Sequence, residues 1–82
     1  MNKITVLLFA TLRDRAQTGS FRMEIPSDTT VTALRALLRE RFPSFNGLVN
    51  HSLVAVNREY VFDEFGIPDG AEVALFPAVS GG

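Results

Sequence analysis

Few side chains in this 82-residue sequence could do chemistry by themselves. There is one histidine, His51, and no cysteine. A hydrolytic triad needs a nucleophile, a base and a third group that orients the base. His51 sits in "SFNGLVNHS" (44–52) with no such partner near it in sequence. One imidazole without thiolates does not build a zinc centre. Asp63 and Glu64 are adjacent carboxylates, which point different ways in most local geometries, so they read as solvated loop charges rather than an acid/base pair. Gly66 and Gly70 are too sparse for a phosphate-cradling loop. Arg35 and Arg39 share a helix face at i, i+4, and with Arg13 and Arg15 they read first as solvated cations. No conventional active site is expected.

What remains is the end, "ALFPAVSGG" (74–82). A run of strand-forming residues stops at Phe76-Pro77, and the chain closes on Gly81-Gly82. One reading is a frayed end, where small residues gather. The other is a chemical handle. A terminal carboxylate is ionised and unreactive at neutral pH. Adenylated by an ATP-using partner, it becomes a mixed anhydride open to attack by sulfur or an amine. Glycines suit such an end because, lacking Cβ, they adopt any φ and let backbone thread a narrow channel. Docking of the domain beside that channel raises the effective concentration of the reactive carbonyl. On this reading Gly82 carries the reaction and Gly81 gives it access.

The elements that must position this end can be read from periodicity. "KITVLLFA" (3–10) is a central strand with Ile4, Val6 and Leu8 on one side and Thr5, Leu7 and Phe9 on the other. "TLRDRAQTG" (11–19) is polar and reads as a loop. "SFRMEIP" (20–26) alternates Phe21, Met23 and Ile25 against Arg22 and Glu24, a half-buried strand paired with the first. "DTTVTALRALLRERFP" (28–43) is the one strong helix, with Thr30 as N-cap and Val31, Leu34, Leu38 and Phe42 as its stripe, widened by Leu37. Arg39 and Arg41 complement the helix dipole, and Pro43 stops the helix. Residues 44–52 are irregular. "LVAVN" (53–57) and "EYVF" (59–62) are short strands across a turn at Asn57-Arg58. "PDGAE" is a turn, and "VALFPAV" (73–79) is the last strand. One amphipathic helix across one sheet is an α+β architecture.

That arrangement leaves an apolar excess. If the helix covers the face carrying Ile4, Val6, Leu8, Val73 and Leu75, alternation sends Phe9 and Phe76 to the opposite face, and Tyr60 can join them. Aromatics of about 150–250 Å² each then make a patch of several hundred Å² with no element to cover it. Either the rings fold over loops and each other, or the patch binds a protein. It adjoins the tail, since the last strand carries both.

The stretches "LLFATLRD", "VTALRALL", "LVAVNREYV" and "DGAEVALFPAVSGG" resemble, in order and over nearly the whole chain, the small-subunit family of molybdopterin synthase. These are sulfur carriers with the ubiquitin-like β-grasp fold. The terminal block is the most specific part. "VNREYV" favours these carriers over thiamine-pathway sulfur carriers of the same fold. The resemblance implies a mixed sheet of four to five strands with one main helix on one face. It implies that a ubiquitin-activating-like adenylyltransferase, using ATP, activates Gly82, and that a sulfur donor makes a thiocarboxylate there. It implies a large synthase subunit as partner, in a heterotetramer, to which the tail delivers sulfur for the dithiolene of molybdopterin from cyclic pyranopterin monophosphate. The carrier itself binds no cofactor and no metal, and has no catalytic site of its own. Phe9, Tyr60 and Phe76, with Pro77 and Val79, match the docking surface, and Arg13 matches a basic docking position. Ala78 departs from the family, which often has a second proline there.

Composition agrees with this class. The expectation is one domain over residues 1–82 with a flexible Gly-Gly tail. The net charge is −1 and 46% of residues are apolar, which argues against nucleic acid as a partner. With no membrane-length apolar run, signal-peptide pattern or cysteine, the expected location is the cytoplasm and no membrane is bound. The rivals are a carrier for thiamine thiazole or tRNA thiolation, a ubiquitin-like modifier forming isopeptide bonds through Gly82, and a plain binding module.

Overall fold

A computed structural model of the chain describes residues 1–45 and 47–78. The elements run β1 (Asn2–Leu8), α1 (Ala10–Ala16), β2 (Ser20–Ile25), α2 (Val31–Arg41), two short 3-10 helices (Pro43–Phe45 and Leu48–His51), β3 (Leu53–Val56), β4 (Glu59–Tyr60) and β5 (Glu72–Phe76). One five-stranded mixed sheet has the order β2-β1-β5-β3-β4. The central pair β1 and β5 is parallel, with Leu8 opposite Leu75, and the other pairings are antiparallel. The first and last strands thus lie side by side at the centre. They leave the sheet at the same end, which puts Phe9 beside Phe76.

Alternation sorts the sheet into two faces. Ile4, Val6 and Leu8 of β1, Val73 and Leu75 of β5, and Val54 and Val56 of β3 are buried in one cluster with Val31, Leu34 and Leu38 of α2. Phe21, Met23, Leu37 and Phe42 pack partly buried against it. The Thr30 hydroxyl accepts a hydrogen bond from the Ala33 N–H at 3.3 Å, as its N-cap position predicts. Two further N–H groups of that first turn are satisfied from afar: Val31 donates to the Phe65 carbonyl and Thr32 to that of Asp63. The loop after β4 is therefore bonded to the helix start.

Five expectations need correction. The first and last strands, read over 3–10 and 73–79, are Asn2–Leu8 and Glu72–Phe76. Residues 11–19 are not simply a loop: Ala10–Ala16 is α1, whose Leu12 is fully buried. The strand reading of 59–62 shortens to Glu59–Tyr60: Val61 still donates to the Val54 carbonyl in register, and the chain then turns at Phe62, whose carbonyl accepts from the Phe65 N–H. The irregular stretch 44–52 holds two 3-10 helices that bury Phe45 and Val49. Finally, Arg35 is not a solvated cation. Its guanidinium donates to the Val49 carbonyl and Ser52 Oγ and pairs with Asp63 at 3.2 Å, because the second 3-10 helix packs against α2. Asp63 is accordingly an ion-pair partner, and no longer one half of a free loop pair.

Turn chemistry completes the frame. Asn57 and Arg58 both have positive φ (51° and 73°), the signature of a two-residue hairpin turn that follows strand twist. Asn57 also bonds Glu72 of β5 twice, donating its N–H to the carbonyl and accepting the Glu72 N–H at Oδ1. Gly70, at φ +79°, occupies a conformation that side-chain-bearing residues rarely adopt, and its N–H donates to the Lys3 carbonyl.

Candidate functional site

The uncovered face of the sheet carries the site. Register places Leu7, Ala74, Ala55 and Tyr60 in a row across four strands. The next row toward the tail end holds Phe9, Phe76 and Leu53, since Phe76 is opposite Leu53 and Phe9 follows Leu8. Phe9 and Phe76 are stacked, with ring centroids 4.5 Å apart and planes 11° from parallel. Tyr60 approaches Phe76 at 6.3 Å and 55°. Small residues at Ala55 and Ala74 keep the middle of the face low, and aromatic rings stand at its tail end.

Phe9 reaches this face through a local backbone device. It is itself extended (φ −128°, ψ 154°) and continues the alternation of β1 one residue past the strand. Ala10 then takes φ +52°, a left-handed conformation that costs an alanine about 1–2 kcal/mol, and turns the chain into α1. The ring is left over Phe76 while the backbone departs. Strain of this kind persists where the surrounding structure over-determines it.

The aromatic residues singled out from sequence are thus brought together: Phe9, Tyr60 and Phe76 form one cluster, with Pro77 half-buried next in chain. Tyr60 is 72% exposed, and Leu53, 52% exposed, joins them. Sequence reasoning missed Leu53. The signal was present in the period-two alternation of "LVAVN", but only the β3–β5 register shows that Leu53 lies against Phe76. Arg13 lies on α1 with its side chain over Gly19, so a methyl group at Gly19 would crowd the guanidinium at 3.2 Å. It does not belong to the aromatic cluster. Val79, Gly81 and Gly82 lie outside the described residues. Phe62 (85% exposed) and Phe65 are further surface aromatics that sequence reading did not single out.

Among the described residues no group of three or more His, Cys, Asp or Glu is placed to hold a metal, and no helix is long and apolar enough to cross a membrane. His51 is exposed at the end of the second 3-10 helix. The geometry places an aromatic cluster, partly exposed, at the end of β5. The last described residue is Ala78, four positions before Gly82, and four residues span at most about 14 Å. A protein held on the aromatic cluster therefore has the Gly82 carbonyl within that distance of Ala78.

Comparison with known proteins gives this surface a context. The model of the ThiS family matches residues 6–82. The molybdopterin synthase sulfur carrier subunit of Dictyostelium discoideum is 32% identical over 84 aligned positions, covering 99% of this chain and 98% of that protein. The crystal structure of SAMP1 (small archaeal modifier protein 1) from Haloferax volcanii superposes with a TM-score of 0.85 at 29% identity, covering 99% of this chain and all of that one. A Caldiarchaeum subterraneum ubiquitin superposes with a TM-score of 0.65 at 16% identity over 99% of this chain and 98% of its own, a likeness of fold alone. The architecture is the ubiquitin-like β-grasp, and the chain belongs to the ThiS family.

Proposed function

We propose that this protein is the sulfur-carrying small subunit of a molybdopterin synthase and that its reactive group is the carboxylate of Gly82. The observation that carries the reading is the aromatic cluster of Phe9, Phe76 and Tyr60 on an uncovered sheet face, at the end of β5 from which the tail departs. The naming of the Dictyostelium relative as a molybdopterin synthase sulfur carrier subunit supports it. The Gly82 carboxylate attacks the α-phosphorus of ATP on a ubiquitin-activating-like adenylyltransferase, and pyrophosphate leaves. A sulfide-level donor then displaces AMP, giving the thiocarboxylate. On the large synthase subunit that sulfur bonds to a carbon of cyclic pyranopterin monophosphate as a carbon–oxygen bond there breaks, the oxygen leaving as water or on the phosphate. A second loaded carrier supplies the other sulfur of the dithiolene. Water cleaves the remaining acyl–sulfur bond and restores the carboxylate. The carrier binds no cofactor of its own: ATP is consumed on the activating enzyme. Its contribution is binding and delivery, with the aromatic cluster holding the partner and the two glycines giving passage to the carbonyl.

Incubation with the activating enzyme, ATP and sulfide, followed by intact mass measurement and thiol-selective alkylation, tests this reading. It predicts an alkylatable sulfur at Gly82 that disappears when the large subunit and pyranopterin substrate are added. A second reading, a protein modifier forming isopeptide bonds through Gly82, is favoured by the likeness to the small archaeal modifier protein. Higher-mass adducts on other proteins, with no sulfur delivered to the pterin, would replace the first reading by the second.

A further inference from the structure

At the β4 edge of the sheet lies a groove that the docking face does not account for. It has a volume of about 510 Å³, within the range of sites that hold a ligand or a few side chains. Leu53, Val54, Tyr60, Val61 and Phe62 form its apolar walls, with Arg35, Asp63 and Glu64 at one side. A neighbouring hollow of about 410 Å³ extends it along Phe62 to Phe65. Phe62 is 85% exposed, so its ring does little for folding. Yet the backbone that carries it is held in place: Phe65 donates its N–H to the Phe62 carbonyl, and Val31 and Thr32 at the start of α2 donate to the Phe65 and Asp63 carbonyls. Arg35 fixes the same loop through Asp63. An aromatic ring displayed on a loop tied at both ends costs a partner little ordering entropy on binding.

Two observations define what the groove takes. Leu53 and Tyr60 line it and also belong to the uncovered face, so the two surfaces are continuous around the edge. The rim is net acidic: Arg35 is committed to Asp63, and Glu64 is exposed and has no ion-pair partner among the described residues. We infer that the protein receiving the tail wraps the β4 edge with a segment that sets an apolar side chain against Phe62 and Val61 and a lysine or arginine against Glu64. This rests on the proposed sulfur-carrier role, which makes the large synthase subunit that protein. The edge groove then fixes the carrier's rotation on its partner, which the aromatic cluster near the sheet end does not do alone.

The test is binding of the purified large synthase subunit from the same organism to the wild-type carrier and to Phe62→Ser, Glu64→Lys and Phe76→Ala. Phe62→Ser is expected to weaken binding about tenfold or more with an unchanged urea midpoint. Glu64→Lys is expected to weaken it and to flatten its salt dependence. If Phe76→Ala weakens binding while Phe62→Ser and Glu64→Lys bind as wild type does, the docking face stands and the groove assignment is overturned. If the wild type does not bind at all, the sulfur-carrier reading fails and the groove assignment with it. If sedimentation shows the carrier self-associating and Phe62→Ser abolishes that, the occupant is a second copy and the inference is wrong.

Discussion

The two faces of the sheet should answer differently to truncation, and Tyr60→Ala beside Leu75→Ala measures the difference. Leu75 is fully buried among β1, β3 and α2, so removing its side chain forfeits transfer energy and leaves a cavity, together about 2–5 kcal/mol. For a domain of this size, total stability is on the order of 4–12 kcal/mol. Leu75→Ala should therefore remove a large fraction of it and lower the melting temperature by roughly 10 °C or more, at about 4–8 °C per kcal/mol. Tyr60 is 72% exposed, and the aromatic ring it pairs with, Phe76, is 6.3 Å away. Its truncation loses a pair interaction of about 0.5–1.5 kcal/mol at most. For an exposed ring on a docking surface, however, the same change is expected to cost about 2 kcal/mol of binding, roughly thirtyfold in affinity for the large subunit. Urea denaturation and calorimetric titration on the same preparations separate the two effects. A Tyr60→Ala carrier that is destabilised as severely as Leu75→Ala, or that binds its partner unchanged, refutes the assignment of this face to docking.

Other variants probe the frame. Thr30→Ala should cost about 0.5–1 kcal/mol in urea denaturation, at the low end for a lost N-cap, because the Phe65 and Asp63 carbonyls still satisfy other N–H groups of that turn. Arg58→Gly should stabilise the protein by about 0.5–1 kcal/mol, since relief of a left-handed arginine outweighs the added freedom of the unfolded chain; a lower melting temperature would contradict that balance.

Most of the architecture was legible because α2 and the strands of the core follow strict periods. Val31, Leu34 and Leu38 fall at helical spacing, and Ile4, Val6 and Leu8 alternate; all are buried as read. The aromatic face followed from the same alternation, because Phe76 ends β5 and Phe9 directly follows the parallel β1. α1 was not legible. It is one short helix with a single fully buried residue, Leu12, and it begins and ends on left-handed Ala10 and Gln17, where no glycine marks the bend. Phe45 and Val49 lie in 3-10 turns, which carry neither period. Arg35 was misread for a related reason: its acceptors at Val49, Ser52 and Asp63 are distant in sequence, so its helix position alone suggested solvent. Phe62 escaped notice because exposure on a loop leaves no pattern to read.

The most direct test is the fate of the last carbonyl. After reaction with the activating enzyme, ATP and sulfide, the intact carrier should gain the mass difference between sulfur and oxygen, and alkylation should place that sulfur on a C-terminal peptide ending at Gly82. A carrier lacking Gly82 should fold normally, keep its affinity for the large subunit, and deliver no sulfur. Sulfur transfer at the wild-type rate by that shortened carrier would contradict the account.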